Sequence, residues 1–245
     1  MRTPQGEGNA LAAPRRAAHV ATMIDGPIFD GVQWRASPGL TPYAESLAAM
    51  EERAAAIRAG TAPELAWLVE HPPIFTAGTG ADPTELFNPQ GFDVAKAGRG
   101  GRYTYHGPGQ RVGYLMLDLD KRGRDIRHFV HCLEGWMIDA LAGVGVEARR
   151  ECGRIGIWTG TGPTEAKIGA IGVRVKRWVT LHGFSINVAP DLAHFSGIVP
   201  CGIEAFGVTS LDALGRTQKM ADLDQVLRAT FPKFLGNLGR NTKVT

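Results

Sequence analysis

Residues 166–188 read AKIGAIGVRVKRWVTLHGFSINV. Two strand-like runs in this stretch are separated only by Lys176 and Arg177. The segments VEARR (146–150) and IGIWTG (155–160), just before it, have the same strand-like character. Short apolar runs bounded by glycine and polar residues are typical of β-strands, so this part of the chain is predicted to be mostly sheet.

Helical patterns lie on both sides of this region. Thr41 and Pro42 form an N-cap and first-turn pair, which predicts a helix over YAESLAAMEERAAAIRA ending at Gly60. Apolar residues spaced by three and four between Asp125 and Val144 predict an amphipathic helix. A third predicted helix, ADLDQVLRATFPKFLGNLG, contains Pro232, where a kink or a break is expected.

The remaining elements are extended. LAWLVEH (65–71) is typical of a buried strand, and PPIFTAG (72–78) of a second extended piece. RYTY (102–105) and VGYLMLDL (112–119) are predicted strands joined across the HGPGQ turn. The order of helices and strands indicates an α+β (mixed α/β) fold, and we expect one domain over residues 25–240.

Composition excludes several classes of protein. The chain has 245 residues, of which 44% are hydrophobic and 21% charged, as in ordinary globular proteins. No apolar run approaches the roughly 18 residues that cross a bilayer, so no membrane partner is expected. The net charge of +3 is scattered along the chain, whereas nucleic-acid binding requires clustered charge.

The first 22 residues are rich in Ala, Arg, Pro and Gly and lack the apolar core of a secretory signal. Their Arg-rich, acid-poor character also occurs in organelle presequences, but serine is scarce and Glu7 interrupts the stretch. This composition favours a disordered tail over residues 1–24.

The three cysteines are an odd number and none lies in a CxxC pair. A disulfide framework and a cysteine zinc site are therefore not expected, and a reducing, cytoplasmic compartment is predicted. Cys132 lies within the amphipathic helix and is predicted to be a core thiol. Cys152 follows two arginines in a predicted connection and is a second candidate for a reactive thiol.

Cys201 is the strongest nucleophile candidate. It lies between Pro200 and Gly202 in the stretch IVPCGI, which is too irregular for a buried helix face. A proline fixes the backbone on one side of the thiol and a glycine leaves it open on the other. The alternative interpretation is a small residue in a tight turn.

Lys167 could activate such a thiol. An ammonium about 4 Å from a thiolate is worth roughly 4 kcal/mol at an effective dielectric of 20, or about three pKa units. A thiol whose ordinary pKa is about 8.5 would then be mainly ionised at neutral pH. The alternative is that Lys167 is an ordinary solvated strand end.

The glycines of GRGG (98–101) and HGPG (106–109) allow backbone to approach a ligand closely, and their N–H groups could bind a carbonyl or an oxyanion. The alternative is that they form two tight turns of a hairpin. His106 and His182 are candidates for proton transfer or hydrogen bonding, or for structural roles.

Three blocks of this sequence, RGGRYTYHGPGQ (99–110), residues 166–188, and IVPCGI (198–203), resemble the signature blocks of the lipoyl(octanoyl) transferases. These enzymes move an octanoyl group from acyl carrier protein onto a lysine of lipoyl-accepting domains. EHPPIFTAG and FGVTSL are also similar to family segments, so the resemblance covers roughly residues 34–235.

The resemblance implies the fold shared with lipoate and biotin protein ligases, a mixed β-sheet flanked by helices. It implies that Cys201 carries the acyl group as a thioester and that Lys167 lowers the pKa of this cysteine. It implies no cofactor and no metal, octanoyl-acyl carrier protein as donor, and, as acceptors, the lipoyl domains of 2-oxoacid dehydrogenases and the glycine cleavage H protein. The implied substrate pocket consists of Arg99, Gly100, Gly101, Arg102, Tyr103, Thr104, Tyr105, His106, Ala170, Ile171, Gly172, Gly183, Phe184 and Ser185.

Two other functions remain open at this stage. An ATP-dependent lipoate or biotin ligase of the same fold would form an adenylate and would not need Cys201. The absence of a GxxxxGK[ST] phosphate loop does not exclude it, because related ligases use ATP without one. A non-catalytic binding module, for nucleic acid among other partners, would show steeply salt-dependent binding.

Overall fold

The computed structural model describes residues 24–199 and 207–240, which form three α-helices and twelve strands in two sheets. The helices are α1 (Tyr43–Ala59), α2 (Ile126–Gly143) and α3 (Met220–Gly239). The strands are β1 (Ile24–Phe29), β2 (Val32–Leu40), β3 (Glu64–Glu70), β4 (Ile74–Ala77), β5 (Asp93–Lys96), β6 (Tyr103–His106), β7 (Gln110–Met116), β8 (Arg149–Glu151), β9 (Arg154–Thr159), β10 (Ala166–Lys176), β11 (Val179–Asn187) and β12 (Gly207–Val208).

The large sheet is mixed. Among the described residues its strand order is β1-β2-β3-β7-β11-β10-β9-β8, and β12 pairs with β10. The pairs β2–β3 and β10–β12 are parallel, and the other pairs are antiparallel. The segment at 166–188 forms β10 and β11, which lie side by side in the middle of this sheet.

Helices cover both faces of the large sheet, because the side chains of the central strands alternate between two cores. On β3, Trp67 packs towards Met50 of α1, whereas Leu68 packs towards α2 and α3. In that second core Trp136 of α2 stacks on Phe234 of α3, with ring centroids 5.0 Å apart. The predicted α+β fold with helices flanking a mixed sheet is confirmed.

The small sheet has the order β5-β4-β6 and its own apolar cluster, which includes Phe75, Tyr105 and Phe195. β6 and β7 follow each other in the chain but lie in different sheets, so the hairpin interpretation of the HGPG turn is wrong. The chain crosses between the sheets here, and Gly109, with a φ of 81°, donates its N–H to the carboxylate of Glu70. Glycine permits this conformation at no steric cost.

The helix predictions agree with the structure except at two details. Pro42, not Thr41, occupies the N-cap position of α1, and the helix ends at Gly60 as predicted, with a φ of 73°. α3 runs unbroken through Pro232, so the predicted break is wrong, while the alternative of a kink stays a prediction. Phe231 and Phe234 are buried on either side of the proline, and this packing holds the helix together.

β1, β2, β5 and β12 were not predicted. The first two contain Gly26, Pro27, Pro38 and Gly39, which weaken the strand signal. The predicted tail falls outside the described residues, apart from Ile24, which begins β1. No helix in residues 24–199 and 207–240 has the length and apolar character to span a bilayer.

Candidate active site

A narrow cavity, here called the slot, lies where the small sheet meets β7, β10 and β11 of the large sheet. β6 supplies one wall, and the two central strands supply the other. The N-terminal residue of α1, Tyr43, closes one side. The slot is lined by Tyr43, Arg99, Gly101, Arg102, Tyr103, Thr104, His106, Val112, Tyr114, Ala170, Ile171, Gly172, His182, Gly183, Phe184 and Ser185.

The structure brings most of the predicted pocket residues together, although they come from three separate stretches of the chain, 99–106, 170–172 and 183–185. Gly100 and Tyr105 are the two members of the predicted set that do not line the slot. Gly100 donates its N–H to the carbonyl of Val173, at 3.1 Å, and so ties the glycine loop to β10. The Tyr105 side chain lies in the small sheet's core, and its hydroxyl is 2.8 Å from His194 Nδ1.

Arg99 is held firmly beneath the glycine loop. Its guanidinium donates to the carbonyl oxygens of Gly100 and Arg102 and to both oxygens of Thr76, at 2.8–3.1 Å. A Cβ on Gly172 would lie 2.6 Å from the Arg99 Cδ, so the arginine crosses β10 only because that position is glycine. Arg99 therefore keeps a fixed cation beside the slot.

Arg102 lies at the opening of the slot, and Phe184 forms part of the slot wall. The Arg102 side chain is half-exposed and forms an ion pair with Glu85. The Phe184 ring packs directly over Gly113, where any Cβ would overlap the ring. This glycine on β7 therefore gives the aromatic wall its position.

The slot ends in a cluster of histidines and tyrosines. His71 Nδ1 donates to the carbonyl of Thr41 at 2.6 Å, so its Nε2 accepts from the Tyr114 hydroxyl, also at 2.6 Å. His182 Nε2 lies 3.3 Å from the Tyr43 hydroxyl. We call five side chains the inner cluster: Tyr43, His71, His106, Tyr114 and His182. All of them line the slot except His71, which is bonded to Tyr114.

Burial keeps the inner cluster uncharged. It lowers the pKa of His71 and of His182 to about 4 each. Burial, and then the neighbouring His71, lowers the pKa of His106 to about 3. Burial also raises the pKa of Tyr43 to about 12 and that of Tyr114 well above its usual value. The end of the slot is therefore polar but neutral near pH 7.

Lys167 lies at the second residue of β10, and its residue surface is only 7% exposed. The interpretation as a solvated strand end is therefore wrong. Its ammonium donates to the carbonyl of Ile155 at 3.0 Å. Lys167 lines a second cavity that shares Tyr103, Thr104, Ala170 and Ser185 with the slot, so the lysine lies beside the slot along β10.

Cys201 lies outside the described residues, so its role stays a prediction. The described chain reaches Val199, whose N–H donates to the carbonyl of Glu85, and resumes at Gly207. From there β12 runs alongside Ala166 and Lys167 of β10. The predicted nucleophile thus belongs to a segment that returns to the sheet at the buried lysine.

The other two cysteines lie away from both cavities. Cys132 is buried in the core beneath α2, as predicted, and burial raises the pKa of its thiol. Cys152 is exposed in the turn between β8 and β9. Neither lines the slot or the cavity of Lys167.

Sequence reasoning did not single out Tyr43, His71 or Tyr114. His71 and its neighbours were part of the EHPPIFTAG segment in the resemblance, which was the available signal. Their hydrogen bonds join residues 30 to 139 positions apart, and no local pattern reveals such pairs.

The sequence profile of the lipoyl protein ligase A/B catalytic domain matches residues 42–232, which include every described residue of the slot. The chain belongs to this family.

Curated relatives in the lipoyl protein ligase A/B family are similar to this chain over almost their whole length. An octanoyltransferase of Sphingopyxis alaskensis is 67% identical over 207 residues, covering 84% of this chain and 95% of the relative. An octanoyltransferase of Rhizorhabdus wittichii is 62% identical over 216 residues, covering 88% of this chain and 97% of the relative.

Solved structures show the lipoyl protein ligase fold. Lipoate-protein ligase A, determined with bound ATP, superposes with a TM-score of 0.63 at 18% identity and covers 82% of this chain and 85% of its own. A bipartite lipoate protein ligase from Thermoplasma acidophilum gives 0.61 at 16% identity, covering 81% and 82% of the two chains. The predicted likeness to lipoate ligases is confirmed at the level of the fold.

Proposed function

We propose that this protein transfers an octanoyl group from octanoyl-acyl carrier protein to a lysine of lipoyl domains, through a thioester on Cys201. The observation that carries the proposal is 62–67% identity to octanoyltransferases over 84–88% of the chain. The chain is thus an acyltransferase acting in protein lipoylation. The carrier-protein donor, the covalent intermediate, and the acceptor domains of 2-oxoacid dehydrogenases and glycine cleavage H protein are the proposed details.

The slot suits an acyl chain. Its walls include Val112, Ile171 and Phe184, and its glycines bring backbone close to the ligand without side chains in the way. The inner cluster is neutral, so its side chains place no charge against an apolar tail. Lys167 lies in the adjoining cavity, which supports a substrate oriented with its carbonyl towards the lysine and its tail towards the inner cluster.

The described residues on either side of Cys201 support the proposal that its thiol acts next to the Lys167 ammonium. On one side of residues 200–206, Ile198 packs with Tyr103, which lines both cavities. On the other side the chain returns as β12, directly beside Lys167.

The reaction then has two steps. The Cys201 thiolate attacks the carbonyl of the donor thioester, a carbon–sulfur bond to Cys201 forms, and the bond to the carrier sulfur breaks. The Lys167 ammonium gives its proton to that leaving sulfur, so the carrier departs as a thiol and Lys167 is left neutral. The amine of the acceptor lysine next attacks the Cys201 thioester, which forms the amide and releases the thiolate. Lys167, in its neutral form, accepts the proton that the incoming amine loses. This is covalent catalysis by an activated nucleophile, and it consumes no ATP.

An ATP-dependent ligase is the second candidate, because the fold is shared with lipoate-protein ligase A, whose structure holds ATP. The identity to that ligase is 18%, against 62–67% to the octanoyltransferases, which favours the transferase.

Intact-mass analysis separates these functions. After mixing with octanoyl-acyl carrier protein without ATP, the protein should gain one octanoyl group, which peptide mapping should place on Cys201. Addition of a lipoyl domain should then remove the adduct and acylate that domain. An acylated product that forms only when free octanoate and ATP are supplied would instead establish the ligase.

Donor chain length tests the slot. Shortening octanoyl to butanoyl removes four methylenes, worth about 3 kcal/mol of burial at roughly 0.8 kcal/mol each, before the entropy of ordering the chain is considered. We expect kcat/KM for the butanoyl donor to fall by about 100-fold. Both donors carry the same carrier protein, so docking is matched. Equal kcat/KM values would show that the slot does not hold the chain.

A further inference from the structure

Gly156, on β9, lies against the side chain of Lys167. A Cβ built on Gly156 would overlap the Lys167 Cε and lie 2.9 Å from its Nζ. The same Cβ would lie 2.9 Å from the carbonyl oxygen of Gly169. The lysine side chain therefore crosses β9 through space that only glycine leaves free.

The backbone at this position also requires glycine. Gly156 has a φ of 129°, a conformation that residues with a Cβ rarely adopt. Its neighbour Ile155 points its carbonyl at the Lys167 ammonium, at 3.0 Å. The unusual backbone of Gly156 thus follows directly after the group that accepts a hydrogen bond from the lysine.

The opposite strand is irregular at the same place. β10 pairs with β9 through Lys167 and Trp158, but the next pair is Gly169 with Ile157, so the register shifts around Ile168. Bulges of this kind bend a strand and re-aim its side chains. Two local departures from regular sheet, one on each strand, therefore coincide at one buried lysine.

We propose that Gly156 is a positioning residue for the acyl transfer: its missing side chain and left-handed backbone hold the Lys167 ammonium in place beside the Ile155 carbonyl, in the cavity that adjoins the slot. The inference rests on the proposed function for the role of Lys167 in the reaction. The positioning itself rests on the packing of Gly156 against Lys167.

The test is Gly156→Ala. The lysine end is flexible, so the new methyl group should displace the ammonium rather than prevent folding. We expect Lys167 to react several-fold faster with an amine-reactive succinimidyl ester, as read by peptide mass mapping. We also expect kcat to fall by about 10-fold or more with a smaller change in the donor KM, and the pH at which Cys201 is alkylated to rise.

Gly153→Ala is the matched control. Gly153 lies in the turn before β9 and has a φ of 74°, and a Cβ placed on it would meet no atom within 4 Å. Alanine there introduces backbone strain in the same hairpin without touching Lys167. Its lysine labelling, kcat and alkylation profile should match those of the wild type.

A double-mutant cycle with Lys167→Ala decides whether Gly156 acts through the lysine. If it does, Gly156→Ala should cost no further activity once the lysine side chain is gone. An equal loss in both backgrounds would overturn the proposal. If Gly156→Ala alone fails to fold, recovery of a cooperative thermal transition in Gly156→Ala/Lys167→Ala would support the steric argument, and continued failure would overturn it.

Different experimental results would contradict the positioning role of Gly156 and the proposed function. Unchanged lysine labelling in Gly156→Ala overturns the positioning, whatever the activity. Faster labelling with unchanged turnover supports the packing of Gly156 on Lys167 but overturns a role for Lys167 in the transfer.

Discussion

Cys201→Ser should abolish octanoyl transfer, with kcat lower by about 10⁴-fold or more, a loss typical of removing an enzyme's nucleophile. A serine hydroxyl is not ionised near neutral pH, and an adjacent ammonium cannot shift it far enough to become so. The variant should also fail to acquire the octanoyl adduct. Transfer to a lipoyl domain, followed by intact mass, measures both effects.

The remaining cysteines provide the controls for this substitution. Cys152→Ser changes an exposed turn, and Cys132→Ser changes a buried thiol that does not line the slot. Cys152→Ser should retain wild-type turnover. Cys132→Ser should lose some stability, because a hydroxyl enters an apolar core, but should keep most of its activity when folded. Near wild-type turnover in Cys201→Ser would eliminate the covalent mechanism.

Lys167→Met should raise the pH at which Cys201 reacts with iodoacetamide. The removed ammonium stabilises the thiolate and not the neutral thiol, so its loss raises the thiol pKa and the alkylation curve moves to higher pH. At about 4 Å the full effect is roughly three pKa units, and a shift of at least about one unit is expected. Octanoyl transfer at pH 7 should fall by about 10²–10⁴-fold, because the variant loses both the thiolate and the proton acceptor.

Lys176→Met is the matched control for this variant. Lys176 ends the same strand, but its side chain is 50% exposed and its nearest acidic partner, Glu51, is 3.7 Å away at the surface. Removing that charge should leave the alkylation curve and the turnover unchanged. Coinciding curves for wild type and Lys167→Met, in a folded protein, would show that another group activates the cysteine.

The sequence predicted elements whose signals are local. α2 has a regular apolar period, and Asp125 caps it by accepting from the His128 N–H, so its limits were predicted to within a residue. Of the two alternatives predicted at Pro232, a kink or a break, the break is wrong, because it follows from a local rule, whereas the burial of Phe231 and Phe234 is a tertiary effect. Tertiary packing can override the local helix propensity of a residue.

Sheet membership could not be predicted in the same way. The turn at residues 106–109 shows that two strands are joined, but not that β6 joins β4 while β7 joins β3 and β11. That choice depends on which side chains each strand buries, such as Tyr105 in the small sheet and Tyr114 in the large one. The HGPG glycines therefore serve a crossing between sheets, and the slot lies at that crossing.

The candidate site was predicted in part for a related reason. Most lining residues lie in two of the three quoted blocks, 99–110 and 166–188, which the resemblance identified. The burial of Lys167 and the neutral state of the inner cluster depend on distant neighbours, such as the Thr41 carbonyl that accepts from His71. The packing of Gly156 against Lys167 could not be predicted from the sequence either, because the two residues are brought together only by the pairing of β9 with β10.

The inner cluster has a consequence for how the kinetics of this enzyme are interpreted. A limb near pH 6.5 in a rate profile is usually assigned to a histidine, since about 6.5 is the ordinary pKa of imidazole. His71, His106 and His182, with pKa values of about 3 to 4, have already lost their protons at that pH. These three imidazoles therefore do not change protonation state in the neutral pH range. A pH-dependent change in rate in that range must come from the titration of another group.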